Sequence, residues 1–104
     1  MPDNAYRTTD RLGRMFDEDR VQIESAGRRS GSGLKIFGES MARPEVLVSQ
    51  AAAATELSFP AASSALKLLG ELKIVREITG RSAGRVFRYS RYLEMLEEGA
   101  EAVG

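Results

Sequence analysis

Residues 57–89 read LSFPAASSALKLLGELKIVREITGRSAGRVFRY, and the order of signals in this stretch decides the fold. Ser58 supplies a helix-capping hydroxyl, and Pro60 falls in the first turn, where its missing N–H leaves no bond unmade. The period that follows predicts a helix burying Ala62, Leu66, Leu69 and Leu72, with Ala61, Ser63, Ser64, Lys67, Leu68 and Glu71 turned toward solvent or a partner. Two β-branched and aromatic runs come next, at 74–79 and 86–89. The loop between them, residues 80–85, carries Gly80 and Gly84, so the pair predicts a hairpin.

Working outward toward the N-terminus, Val46-Leu47-Val48 suits only a short strand, and Ser49 is placed to cap a brief helix through Ala51, Ala52 and Ala53 that Leu57 closes. Leu34, Phe37, Gly38 and Met41 mark another helix, ending ahead of Pro44 because a residue before proline is driven from the helical region. The stretch Gly27–Gly33 holds three glycines and reads as a hinge or helix break. A phosphate-binding loop is excluded, since Ser32 stands where its second glycine should follow Gly27. Ahead of it, Thr8-Thr9-Asp10 caps a long helix whose Leu12, Met15, Phe16, Asp19 and Ile23 recur every three or four residues to about Ala26. On the C-terminal side, Ser90 caps a last helix with Tyr92, Leu93 and Leu96 on one face, stopped at Gly99.

The expected organisation is a disordered 1–7, a helical extension over 8–44, a winged helix-turn-helix over 45–90, and a C-terminal helix and tail over 91–104. The fold class is mostly α with a small β-hairpin, an α+β arrangement. In such a domain the second helix of the pair enters the major groove and the hairpin lies along the backbone or minor groove.

Composition narrows the function. The chain has 104 residues, 42% hydrophobic and 29% charged, which suits one globular domain with one modest core. No apolar run approaches the ~20 residues of a bilayer span, and no signal peptide precedes the domain, so no membrane partner and a cytoplasmic location are expected. Histidine and cysteine are absent. That removes the usual imidazole base, every thiol nucleophile and nearly all zinc or iron ligand sets, so no catalytic residue, metal or cofactor is expected. Net charge is zero but segregated: residues 1–26 carry four Arg against six acids, residues 27–91 eleven Lys and Arg against five Glu, and residues 92–104 four Glu alone. A basic middle between acidic ends is the pattern of a cationic binding surface with solvated outer helices.

Segments 57–60 (LSFP), 72–81 (LKIVREITGR), 85–87 (RVF) and 92–99 (YLEMLEEG) resemble the C-terminal winged-helix region that follows the catalytic domain in many bacterial Fic-family proteins. Thr9-Asp10-Arg11-Leu12, Phe16-Asp17-Glu18-Asp19-Arg20 and Ile23 are similar to the helix leading from the Fic core into that appendix. The resemblance covers residues 8–101 and implies a Fic catalytic domain upstream as a partner. It implies no AMP transfer here, because the H-P-F-x-x-G-N-G-R motif and its histidine are missing. An Arg commonly follows the first serine of the recognition helix in that family, where this chain has Ser64.

Two function classes fit these residues. As a DNA-binding regulatory module, the chain would offer Ser63, Ser64 and Lys67 on the recognition helix and Arg81, Arg85 and Arg88 in the wing. Serines discriminate bases poorly beside the forked groups of Arg, Asn and Gln, so weak, nearly sequence-indifferent binding of duplex DNA is expected. Residues 76–91 hold five Arg against Glu77, suited to phosphates or to keeping a strand edge soluble. As an interaction module, the same fold would bind protein only. The stripe Leu12, Met15, Phe16 and Ile23 either packs on the core or serves a homodimer through the N-terminal helix.

Overall fold

A computed structural model of the chain describes residues 3–78 and 84–103, with side chains over 10–78 and 84–98. Helix α1 (Asp3–Glu24) is followed by a single 3-10 turn at Gly27–Arg29, α2 (Ser30–Ala42), β1 (Glu45–Leu47), α3 (Val48–Thr55), α4 (Phe59–Glu71), β2 (Arg76–Glu77), β3 (Val86–Arg88) and α5 (Ser90–Val103). Strands run in the order β1-β3-β2, all antiparallel, with Val46 opposite Phe87 and Phe87 opposite Glu77. Two short helices joined tightly, then a strand pair closing on an earlier strand, define a winged helix-turn-helix.

The α3–α4 junction follows the sequence closely. Glu56 takes a left-handed conformation, φ 58°, which turns the chain after α3. Ser58 then caps α4, its Oγ accepting from the Ala61 N–H at 3.2 Å. Such a cap is worth ~0.5–2 kcal/mol. Below the cap, α4 buries Ala62, Ala65, Leu66, Leu68 and Leu69. Leu68 corrects the expectation of an outward side chain: it is 3% exposed, and Leu72 is only half-buried.

The glycine-rich stretch is also corrected. Gly27 does break the chain, at φ +72°, but α2 starts at Ser30 and runs through Gly31 and Gly33. A Cβ on Gly33 would lie 2.8 Å from Ile23 Cγ2 and 3.2 Å from Leu68 Cδ2. Gly33 is therefore a close-approach residue that lets α2 pack on α1 and α4, and no hinge. The buried face of α2 is Gly33, Ile36, Phe37 and Ser40, one residue out of step with the predicted stripe; Leu34 and Met41 are half-buried and Gly38 is exposed.

Other boundaries shift slightly. Helix α1 begins at Asp3, within the stretch expected to be disordered; residues 3–9 hold no proline or glycine to stop it. Val48 opens α3 where a strand was expected, because Gln50 Oε1 accepts from the Leu47 N–H at 3.0 Å and so caps the helix at Leu47, two residues before Ser49. At the far end of α4, Lys73 turns left-handed, φ 62°, and the Ile74 N–H reaches back to the Leu69 carbonyl at 2.9 Å.

The core draws on nearly every element: Met15 and Ile23, Ile36 and Phe37, Val46, Ala51, Leu66 and Leu69, Ile74, Phe87 and Tyr89 are all buried. Helix α2 packs against both α3 and α4, so the helix-turn-helix takes in a helix from outside 45–90. Helix α1 lies on α2 and α5. Of its apolar stripe, Met15 and Ile23 are buried, and Leu12 and Phe16 pack half-buried against the core.

Candidate nucleic-acid interface

Helix α4 presents Phe59, Ser63 and Lys67 at four-residue spacing, with Pro60 and Ser64 alongside, so these five side chains share one outward face. They line an open hollow of about 450 Å³. Ser64 and Lys67 are exposed and Ser63 is half-buried. Phe59 is 57% exposed, although it is large and apolar and follows directly on the cap.

Lys67 also borders a second, larger cleft of about 560 Å³ between the end of α4 and the wing, whose other basic walls are Lys73, Arg76 and Arg85. Glu71 and Glu77 supply its acids. Lys67, Lys73 and Arg76 have no ion-pair partner among the described residues, and all three are exposed. Arg85 differs, with its Nε 3.7 Å from Glu77 Oε2.

The predicted site residues therefore divide. Ser63, Ser64 and Lys67 come together on α4, and Arg85 faces Lys67 across the cleft. Arg88 stands apart in the central strand, opposite Glu45 on one side and Arg76 on the other. Its Nε lies 3.7 Å from Glu45 Oε2, an ion-pair distance too long for a hydrogen bond. Arg81 lies outside the described residues. Arg76 and Lys73 were not singled out on sequence: one was hidden among five arginines, and the other reaches the cleft only through its left-handed turn.

Arg91, the fifth arginine of the hairpin region, belongs to another site. Asp19 is 0% exposed, the one fully buried carboxylate among the described residues. Its Oδ2 accepts from the Tyr89 hydroxyl at 2.5 Å and its Oδ1 accepts from Arg91 Nη1. Arg91 Nη2 also donates to Glu18 Oε1 at 3.2 Å. Burial lifts the Asp19 carboxyl above its ordinary 3.8, while the Tyr89 hydrogen bond and the Arg91 charge pull it back without cancelling the shift. Burial and the neighbouring carboxylate push the Tyr89 phenol well above its ordinary 10.0. Tyr89 itself is the hub of an aromatic cluster, with ring centroids 5.7 Å from Phe37, 5.6 Å from Tyr92 and 6.3 Å from Phe16. Sequence reasoning placed Asp19 on the packed stripe of α1 without assigning it a partner, because both partners lie some seventy residues away.

Among the described residues no cluster of three or more acids could hold a metal ion, and no helix is long and apolar enough to cross a membrane. The class defined by this fold is the winged helix-turn-helix, here with an uncovered second helix and a basic cleft at its wing. No protein-family model and no curated protein matches the sequence. Among solved structures the chain is similar to that of the transcriptional regulator homologue protein from Pyrococcus horikoshii OT3, at 18% identity over 83% of this chain and 97% of that one, with a TM-score of 0.45. The fold assignment rests on the element order and strand register.

Proposed function

We propose that this chain is a non-catalytic DNA-binding regulatory module that holds duplex DNA through the outer face of α4 and the wing cleft. The observation that carries it is the uncovered helix face ending at Lys67, continuous with Lys73 and Arg76, three cations with no acid partner among the described residues. Cations left open to solvent along one surface release counterions when they meet phosphates, which supplies most sequence-indifferent affinity. With Ser63 and Ser64 as the polar groups facing bases, hydrogen-bonded readout is weak. If these three cations each neutralise about one phosphate, log K falls with log salt at a slope of about −3 on random duplex in an electrophoretic shift series. Absence of any shift at ~50 mM salt would remove nucleic acid as the partner and leave the protein-interaction module.

The resemblance to Fic-family appendices adds a catalytic Fic domain on the N-terminal side as the enzyme this module serves; a gene with no Fic core in frame upstream would end that part of the proposal. A homodimer through α1 would have to use outward residues such as Val21, 58% exposed, because the stripe Leu12, Met15, Phe16 and Ile23 is occupied within the chain. Light scattering at micromolar concentration reads the mass directly.

A further inference from the structure

Phe59 has no structural duty equal to its exposure. It is the first residue of α4, more than half open to water, while every other phenylalanine with a described side chain is buried or packed against the core. Its ring divides two hollows: the one it shares with Ser63, Ser64 and Lys67, and a narrower one of about 210 Å³ bordered by Leu47, Val48, Gly84 and Arg85. A protruding aromatic ring between two hollows is unsuited to hydrogen-bonded reading. It suits a small apolar knob.

In a duplex, the apolar group displayed on the major-groove floor is the thymine C5-methyl, and contact with a side chain such as Phe is one of the ways bases are distinguished there. The N-terminal residues of the second helix are those that reach base edges in helix-turn-helix docking. Ser63 and Ser64 behind the ring are short, so the helix can approach the groove closely, and Lys67 one turn further on supplies the charge that holds a phosphate. We infer that Phe59 is a specificity-determining residue that reads thymine methyl groups, giving the module a preference for A·T steps by apolar contact. This rests on the DNA-binding function proposed above.

The test compares 20-base-pair alternating A·T duplexes made with thymine or with deoxyuridine, which differ only by the methyl, at ~50 mM salt where sequence-indifferent binding is detectable. The protein should bind the thymine duplex about fourfold tighter, the equivalent of ~0.8 kcal/mol for one buried methyl-sized group. Phe59→Ala should bind both duplexes equally with an unchanged salt slope, and Phe59→Leu should keep part of the preference. A G·C duplex carrying 5-methylcytosine should regain affinity over its unmethylated form in the parent protein and not in Phe59→Ala. Equal binding of thymine and deoxyuridine duplexes by the parent overturns the inference while leaving DNA binding intact, and points to a protein occupant for the ring. A thymine preference that survives in Phe59→Ala overturns it as well. Failure to shift any duplex removes the function on which it rests. Circular dichroism of Phe59→Ala, whose lost ring is mostly in water, checks that the fold is retained.

Discussion

Arg91 and Arg76 are fifteen residues apart and chemically identical, yet their charges are used differently. Arg91 is half-buried and committed to the Asp19 carboxylate between α1 and α5. Arg76 stands in the wing cleft with no acid partner among the described residues, beside Lys67 and Lys73. The α1–α5 side joins its charges and rings across the two helices: Arg11 reaches Glu98 at 2.7 Å, Arg91 holds Asp19 and Glu18, and Phe16 and Tyr92 tilt together at 5.4 Å. The α4–wing side leaves cations and a phenylalanine open. Charge counted along a sequence measures how much could be offered to a ligand; the acid across the fold decides how much is.

The largest effect should separate the two faces of α4. Leu69 is fully buried, so Leu69→Ala should cost ~2–5 kcal/mol, whereas Ser64→Ala on the opposite face should stay within ~0.5 kcal/mol. Urea unfolding of both variants reads the difference, and equal losses would mean that α4 has no free face.

Next in size is the packed side. Tyr89→Phe keeps the ring and removes the hydroxyl that Asp19 accepts from, leaving a buried carboxylate oxygen short of a donor, at ~1–3 kcal/mol. The pH dependence has a definite sign. The folded-state phenol holds its proton above the ordinary 10.0, so its contribution is fully present below pH 10.0 and is lost as pH rises beyond it, where the unfolded chain ionises and the folded one resists. Tyr89→Phe should lack that component of alkaline destabilisation in melts run from pH 8 to 11. At the acid end, the raised Asp19 carboxyl gives its largest contribution below 3.8, and that contribution falls away as pH climbs through its folded value.

The smallest stability effect carries the functional contrast. Lys67→Ala with Arg76→Ala should leave the melt within ~0.5 kcal/mol and flatten the salt slope of duplex binding by about two units. Arg91→Ala should do the reverse, lowering stability while leaving the slope unchanged, since its charge is already committed. A slope that responds to Arg91 and ignores Lys67 and Arg76 would place the interface at the α1–α5 seam.

Local chemistry was legible in the sequence wherever one residue type has one use. Ser58 and Pro60 announced α4 because a cap and a first-turn proline act within a few residues, and Ala62, Leu66 and Leu69 followed from the helical period. Gly33 was misread because glycine serves both a break and a close approach, and only Ile23 and Leu68 on other helices tell them apart. Leu68 was assigned outward for a related reason: α4 has neighbours over a wider arc than a single-sided period assumes. The site was less legible still. Lys67 declared itself on an outward face, but the pairing of Arg85 with Glu77, Arg88 with Glu45 and Arg91 with Asp19 depends on strand register and on contacts across the whole fold. The same register set Arg76 directly across from Arg88, a like-charge pairing that no count of arginines reveals.

The bond from Tyr89 to Asp19 bears on cooperativity. Tyr89 closes the wing strand through its own N–H to the Pro44 carbonyl at 2.7 Å, and through its hydroxyl it fastens a helix that begins the chain. One residue thus belongs at once to the wing and to the helical extension, so melting either exposes a face of the other. The winged segment and α1 should unfold in a single transition, and a protein trimmed to residues 45–90 would carry at its wing root an aromatic ring stripped of Phe16 and Phe37 and a hydroxyl with its acceptor gone.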